Sequence, residues 1–135
     1  MNRRTSYKGG AAPVFDERSP IYLQIAEQIK GQIVTGELQP DEQVMSTNQY
    51  ADFYRINPAT AAKGFHQLVE EGVLYKRRGL GMFVSPEAPS KLLTERRQRF
   101  FAEVVDPMVA EARLIGIGLD EVIERIDARK GGEKA

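Results

Sequence analysis

The sequence has no cysteine and a single histidine, His66, in 135 residues. The first absence excludes disulfides, thiol nucleophiles and cysteine-based zinc sites together. One histidine cannot supply a His-rich metal site, so neither a metal nor another cofactor is expected. No apolar run approaches the 18 or so residues of a membrane span. Arg3 and Arg4 are not followed by the apolar stretch of a signal peptide. The expectation is a soluble cytoplasmic protein that does not touch a membrane. Excess charge is absent as well, since 19 acidic residues balance 19 basic ones. A uniformly basic chain would point to nucleic acid at once; here any such reading rests on where the cations sit. There is no nucleophile–base pair and no phosphate-cradle motif, so an enzyme is not expected. Asp120, Glu121 and Glu124 gather near the start of the last helical stretch, where carboxylates ordinarily complement the helix dipole. What is present is an apolar fraction of 41 %, within reach of a globular core in a chain of about one domain's length.

Residues 1–18 mix Arg3, Arg4, Lys8, Gly9, Gly10 and Pro13 without periodicity and read as a flexible arm. Ser19-Pro20 then reads as an N-cap and first helical residue. Ile21, Tyr22, Ile25, Ala26, Ile29 and Ile33 follow at helical spacing, Gly36 ends the stretch and Pro40 follows. Ser46 and Gln49 fit a capping box for a short second helix. Arg55-Ile56-Asn57 is a tight turn, and Asn57-Pro58 opens a third helix that stops at Gly72. Two helices joined by so short a turn suit a helix-turn-helix. The runs Val73–Arg77 and Met82–Val84 alternate around Arg78-Gly79-Leu80-Gly81, the pattern of a β-hairpin. Pro86 and Pro89 punctuate a linker, and helical spacing resumes at Ser90. Pro107 should kink or break that helix, Gly116 and Gly118 mark a turn, and Leu119 to Ile126 form a last amphipathic stretch. The expected fold is therefore mainly α with a small β-hairpin. A winged helix-turn-helix occupies 19–86, a short helical dimerisation region 87–130, and a tail 131–135.

The third helix starts with "PATAA", a first turn nearly bare of side chains. On a helical wheel Ala61, Ala62, Phe65, Leu68 and Val69 fall to one side; Thr60, Lys63 and Gln67 fall to the other, with Ala59 and Gly64 at its edges. A helix that enters the DNA major groove contacts base edges through its N-terminal residues, and small side chains there let the backbone approach. Its free N–H groups and positive dipole end suit a phosphate. Asn57 can cap the helix or bond a phosphate, Thr60 can donate to a phosphate, and Lys63 and Gln67 can reach bases. Lys76, Arg77 and Arg78 precede the glycine-rich turn, though strand alternation splits them between faces. A helix-turn-helix followed by such a hairpin is a winged helix.

"PIYLQI" at 20–25, "GELQPDEQV" at 36–44, "LVEEGVLYKRRGLGMFV" at 68–84, and Ala51 and Thr60 occur in the order found in the GntR family of bacterial transcription regulators, which residues 20–85 resemble. "INPATAAKGF" is most similar to the YtrA-like branch, in which Asn-Pro often opens the recognition helix. The resemblance implies a DNA-binding regulator of transcription, most simply a repressor. With the helical wheel and the hairpin, it makes the expected DNA-contacting residues Ser46, Asn48, Arg55, Asn57, Pro58, Ala59, Thr60, Lys63, Gln67, Arg77, Arg78, Gly79 and Gly81. The chain departs from the family's pattern in three places. Met45-Ser46-Thr47-Asn48 replaces the usual Pro-Ser-x-Arg, Arg55 replaces a turn glycine, and Pro58 stands where many relatives have arginine. With two customary arginines missing, a narrower or weaker operator interaction is expected.

About 45 C-terminal residues cannot bury a large core of their own. Leu92, Phe100, Phe101, Val104, Met108, Ala112, Ile115, Val122 and Ile126 are therefore expected to pack across a two-fold axis. The homodimer would offer two recognition helices to a palindromic stretch of double-stranded DNA, its half-sites about one helical turn apart. The family resemblance implies dimerisation in this region too. There is no room for a large metabolite-sensing domain. A small-molecule effector in the dimer cleft stays open, with no residue spacing that specifies one. The alternative function is a protein-interaction adaptor, since winged helices also bind proteins.

Overall fold

A computed structural model describes residues 15–131. The helices are α1 (Ile21–Thr35), α2 (Thr47–Tyr54), α3 (Pro58–Glu70), α4 (Ala88–Phe100), α5 (Asp106–Leu114) and α6 (Leu119–Lys130). The strands are β1 (Leu74–Arg77) and β2 (Gly81–Val84). The chain divides into two compact units between Leu93 and Thr94.

In the first unit the apolar stripe of α1, Ile25, Ala26, Ile29 and Ile33, is buried with Tyr50 and Ala51 of α2 and Ala61, Phe65 and Leu68 of α3. Tyr50 meets Phe65 edge-on at 5.3 Å between ring centroids, a favourable aromatic geometry. The Tyr50 hydroxyl donates to Gln28 Oε1, which satisfies a polar tip at the core's edge. Gly64 is buried where α3 crosses α1. A Cβ there would stand 3.0 Å from the Tyr22 carbonyl oxygen and 3.1 Å from Ile25 Cβ, so the absent side chain sets how close the two helices come.

The structure departs from the sequence reading, or adds to it, in three places. Ser19 does not cap α1. Pro20 is the N-cap, and its carbonyl accepts from the N–H groups of Leu23 and Gln24. The Gln24 amide group instead binds the incoming chain, accepting from Asp16 N–H and donating to the carbonyls of Asp16 and Ser19. With Phe15 packed edge-on against Tyr54 at 6.4 Å, residues 15–18 of the expected arm are held; Arg3, Arg4 and Lys8 lie outside the described residues. Next, the linker at 41–44 is a partner of β2. Asp41 N–H donates to Val84 C=O at 2.7 Å and Val84 N–H to Glu42 C=O at 3.0 Å. The antiparallel pair β1–β2 runs from Leu74 opposite Val84 to Arg77 opposite Gly81. Finally, α4 begins at Ala88, with Pro89 inside its first turn, and Ala88 and Leu92 lie in the first unit's core. Leu92, expected at a dimer interface, is only 4 % exposed.

In the second unit α4 leads through a π-helical turn, Phe101–Val105, into α5. Pro107 sits in the first turn of α5 and does not break the chain's helical course. The wider turn just before it carries the bond from Asp106 N–H to Phe101 C=O, which relaxes the backbone where proline removes a donor. Gly116, at φ 80°, turns the chain into α6. Phe100, Phe101, Val104, Met108, Ile115 and Ile126 are all exposed, as are Leu114, Ile117 and Ile123, which the sequence reading did not include. Val122 is half-buried. Ala112 is buried beside the turn, its carbonyl accepting from Ile117 N–H at 2.8 Å.

Candidate nucleic-acid interface

The helix-turn-helix is built from two fixed caps. Ser46 Oγ accepts from Gln49 N–H and the Gln49 side chain accepts from Ser46 N–H, a reciprocal capping box at 3.0 Å each way. Arg55 closes α2 in the left-handed region, φ 56° and ψ 52°, a conformation that costs a residue with a Cβ about 1 kcal/mol. Its N–H donates to Ala51 C=O. Asn57 then caps α3, its side-chain oxygen accepting from Ala59 N–H at 2.7 Å and from Thr60 N–H at 3.4 Å. Pro58 supplies a preset φ where no intrahelical donor is needed. Between the two helices lies an open groove of about 600 Å³ lined by Asn48, Gln49, Asp52, Arg55 and Pro58, among others.

The buried residues of α3 are Ala61, Gly64, Phe65 and Leu68. At about 100° per residue the opposite face carries Ala59, Ala62, Lys63, His66 and Glu70, and all five are exposed. This corrects the wheel drawn from sequence. Gly64 belongs to the core and Ala62 to the outward face, because α3 leans on α1 through the glycine. Thr60 and Gln67 flank that outward face, and both are half-buried. Gln67 is also committed, since its amide donates to Glu71 Oε2 at 2.6 Å.

Glu71 in turn holds Lys30 of α1 at 2.7 Å, and its carbonyl accepts from the Lys91 ammonium of α4. Burial works to raise the Glu71 pKa, but the hydrogen bonds from Lys30 and Gln67 outweigh it and leave the carboxyl below its ordinary value. Burial pulls Lys30 down while the hydrogen bond to Glu71 pushes it up, with a net rise. The C-terminal end of α3 is thereby tied to α1 and α4. Lys63 is held differently: its ammonium stands 4.2 Å from the Tyr22 ring centroid. His66 Nε2 lies 3.3 Å from Glu70 Oε2, with 71 % of the histidine side chain exposed.

The wing is anchored from the linker. Gln43 Nε2 donates to Leu80 C=O at 2.7 Å, and Gly81, at φ 131°, leaves space that a Cβ would close to 2.6 Å from that nitrogen. Gly79 has φ 76° in a turn closed by Leu80 N–H to Arg77 C=O at 2.8 Å. Tyr75 and Phe83 stack at 5.7 Å on one face of the hairpin, and Arg77 lies over Phe83 at 5.6 Å. The Tyr75 hydroxyl donates to Asp41 Oδ1 at 2.7 Å; that bond is the main reason its pKa is raised. Lys76, Arg77 and Arg78 are exposed, as are Ser46, Asn48, Arg55, Asn57, Pro58, Gly79 and Gly81. No group of acidic, histidine or cysteine side chains able to hold a metal occurs among the described residues. No described helix is long and apolar enough to cross a membrane.

No family model matches the chain. Among curated proteins, the chain is 31 % identical over 125 residues to the HTH-type transcriptional repressor YtrA of Bacillus subtilis, covering 88 % of this chain and 95 % of YtrA. It is 30 % identical over 112 residues to the HTH-type transcriptional regulator YhcF of the same organism, covering 83 % of this chain and 91 % of YhcF. A putative transcriptional regulator of the GntR family from Bacteroides thetaiotaomicron superposes with a TM-score of 0.63 at 28 % identity, over 85 % of this chain and 99 % of that one. The chain belongs to the GntR family of helix-turn-helix transcriptional regulators. Within the GntR fold α3 is the second helix of the helix-turn-helix and β1–β2 the wing. A solved complex of the AraR DNA-binding domain with its operator ORX1 matches over 53 % of this chain and 93 % of that domain, with a TM-score of 0.50 and 28 % identity.

Sequence reasoning missed three residues of this GntR surface. Tyr22 was assigned to the core stripe. Gln43 lies 37 residues from its wing partner, beyond any local pattern. His66 was left out of the outward face drawn from sequence; the spacing of Ala59, Ala62 and His66 is the signal that finds it.

Proposed function

We propose that this GntR regulator is a cytoplasmic homodimeric repressor that binds a palindromic operator in double-stranded DNA. The observation that carries the reading is the outward face of α3: two alanines at its start, then Lys63 and His66, all exposed. A helix so shaped can bring its backbone close to DNA at one end and present donors a turn further on. Arg55 and Asn48 border the groove beside the start of α3, where a phosphate would lie, and the exposed Asn57 caps that helix. Arg77 and Arg78 place cations at the wing, with Gly79 and Gly81 allowing the tip to approach a backbone. Repression is the mode we assign because YtrA is named a repressor. The operator complex of AraR supports DNA as the ligand.

Dimerisation is assigned to the second unit. Phe100, Phe101, Val104, Met108, Ile115 and Ile126 are exposed there together with Leu114, Ile117 and Ile123. So much apolar surface on so few residues marks an association surface. The test is fluorescence anisotropy against DNA upstream of the protein's own gene, titrated at several salt concentrations beside a scrambled duplex. Sequence-dependent binding with a steep salt slope is expected; equal weak binding to both duplexes and no palindrome from random-DNA selection would overturn the reading. Sedimentation of Phe101→Glu and Ile126→Glu tests the interface. A shift from dimer to folded monomer is expected, and an unchanged dimer in both variants would refute the assignment.

A further inference from the structure

We propose that His66 reads a base in the major groove, with Glu70 setting it to accept a hydrogen bond from the exocyclic amino group of adenine or cytosine. The inference rests on the DNA-binding reading above and deepens it. On the outward face of α3 the residues before it are Ala59 and Ala62, which offer methyl groups only, and Lys63, which offers only donors. Thr60 and Gln67 flank that face, and Gln67 spends its amide on Glu71. His66 is the remaining outward side chain in the first two and a half turns that can both accept and donate. It lies about 10 Å along the helix from Ala59 at 1.5 Å per residue, within the depth a recognition helix spans across a few base pairs.

Glu70 decides which way the ring works. Its Oε2 faces His66 Nε2 at 3.3 Å. A carboxylate at that distance attracts an N–H and repels a ring lone pair, so the neutral imidazole favours the tautomer with its proton on Nε2. Nδ1 is then left as an acceptor. In the major groove the donors are adenine N6 and cytosine N4, whereas guanine and thymine present acceptors at the corresponding edge. Lys63, one turn earlier, has the opposite preference, for guanine O6 and N7. Lys63 and His66 thus set one donor and one acceptor in a fixed order, a pattern that two lysines or two arginines could not give. The charged groups on this face are Lys63 toward the N-terminus and Glu70 toward the C-terminus, and the Glu70 carboxylate beside the ring disfavours a phosphate as its partner.

The experiment is random-duplex selection with the full chain, comparing wild type, His66→Ala, His66→Gln and Glu70→Gln, followed by anisotropy on the selected operator and its single-base variants. Wild type is expected to enrich adenine or cytosine at one symmetric pair of positions, with discrimination of about tenfold. His66→Ala should lose the preference at that pair alone and keep the rest of the motif. His66→Gln should restore it if the base is adenine, because glutamine pairs with adenine N6 and N7. Glu70→Gln should let the ring present a donor and admit guanine at that position. An unchanged motif in His66→Ala, or a uniform loss of affinity at every position, overturns the proposal while leaving DNA binding intact. An unchanged motif in Glu70→Gln removes Glu70 from it. Failure of the wild type to enrich any sequence would overturn the DNA-binding reading itself, and this inference with it.

Discussion

The ammonium of Lys63 stands 4.2 Å above the ring of Tyr22, joining α3 to α1 by a cation–π contact. A long flexible side chain is thereby kept near one position before any ligand arrives, which lowers the entropy lost when it binds. Lys63→Ala should weaken operator binding by about tenfold and reduce the salt slope by about one if it meets a phosphate, or relax one base position if it meets guanine. Tyr22→Leu keeps the apolar contact and removes the aromatic face. A loss of about two- to fivefold is expected, in line with 0.5–1 kcal/mol for an exposed cation–π pair. Because both residues act through one contact, Tyr22→Leu should add nothing in the Lys63→Ala background. Anisotropy titrations of the four proteins complete the cycle.

Arg55 offers a prediction with opposite signs in two measurements. Glycine takes its left-handed conformation without the Cβ penalty. Arg55→Gly should therefore raise the stability of the fold by about 1 kcal/mol, seen as a higher midpoint in thermal unfolding. The same substitution removes a cation from the groove beside the start of α3, so operator affinity should fall several-fold and the salt slope by about one. An arginine that served the turn alone would show the first change without the second.

What the sequence made legible follows from the range of the interactions involved. Ser46 with Gln49, and Asn57 with Pro58, are local signatures three residues or fewer apart, and the structure places the caps there. Gly79 and Gly81 announced the hairpin for the same reason. The wheel of α3 failed at Gly64 because a glycine carries no hydropathy signal, and its burial depends on α1 lying against it. Segment 41–44 was hidden because its pairing to β2 joins residues about forty apart in the chain. Leu92 looked like its apolar neighbours, and only the tertiary fold separates it, in the core, from exposed Phe101 and Ile115.

The Lys30–Glu71 pair predicts a stability profile in pH. The Glu71 carboxyl is held below its ordinary value, so its contribution is present above the unfolded-state pKa of about 4.3 and is lost as pH falls through the lower folded value. The Lys30 ammonium is held above its ordinary value, so its contribution is present below about 10.4 and is lost as pH rises past the higher folded value. Between these limits the pair contributes steadily. Glu71→Gln should cost about 1–2 kcal/mol near neutrality, between the values for exposed and buried ion pairs. Urea unfolding of both proteins from pH 7 down to pH 3 checks this. The gap should close below about pH 4, and a gap independent of pH would assign the loss to packing.

Gln43 makes the wing a prepared surface. One amide group, 37 residues away in sequence, fixes Leu80 at the tip by a 2.7 Å bond to its carbonyl. Gly81 has the space to let that amide in, and any Cβ would push it out. Two substitutions should therefore act alike by different routes. Gln43→Ala removes the donor, and Gly81→Ala displaces it while straining a φ of 131°. Both should speed amide hydrogen exchange at residues 78–81 and leave exchange in α1 and α3 unchanged. Both should also weaken operator binding about two- to fivefold through the cost of ordering the tip on contact. Since the cations at Arg77 and Arg78 are retained, the salt slope should stay at the wild-type value. If the slope fell with the affinity, the clamp would be aiming the arginines themselves, and the wing's contribution would be electrostatic contact placed by Gln43.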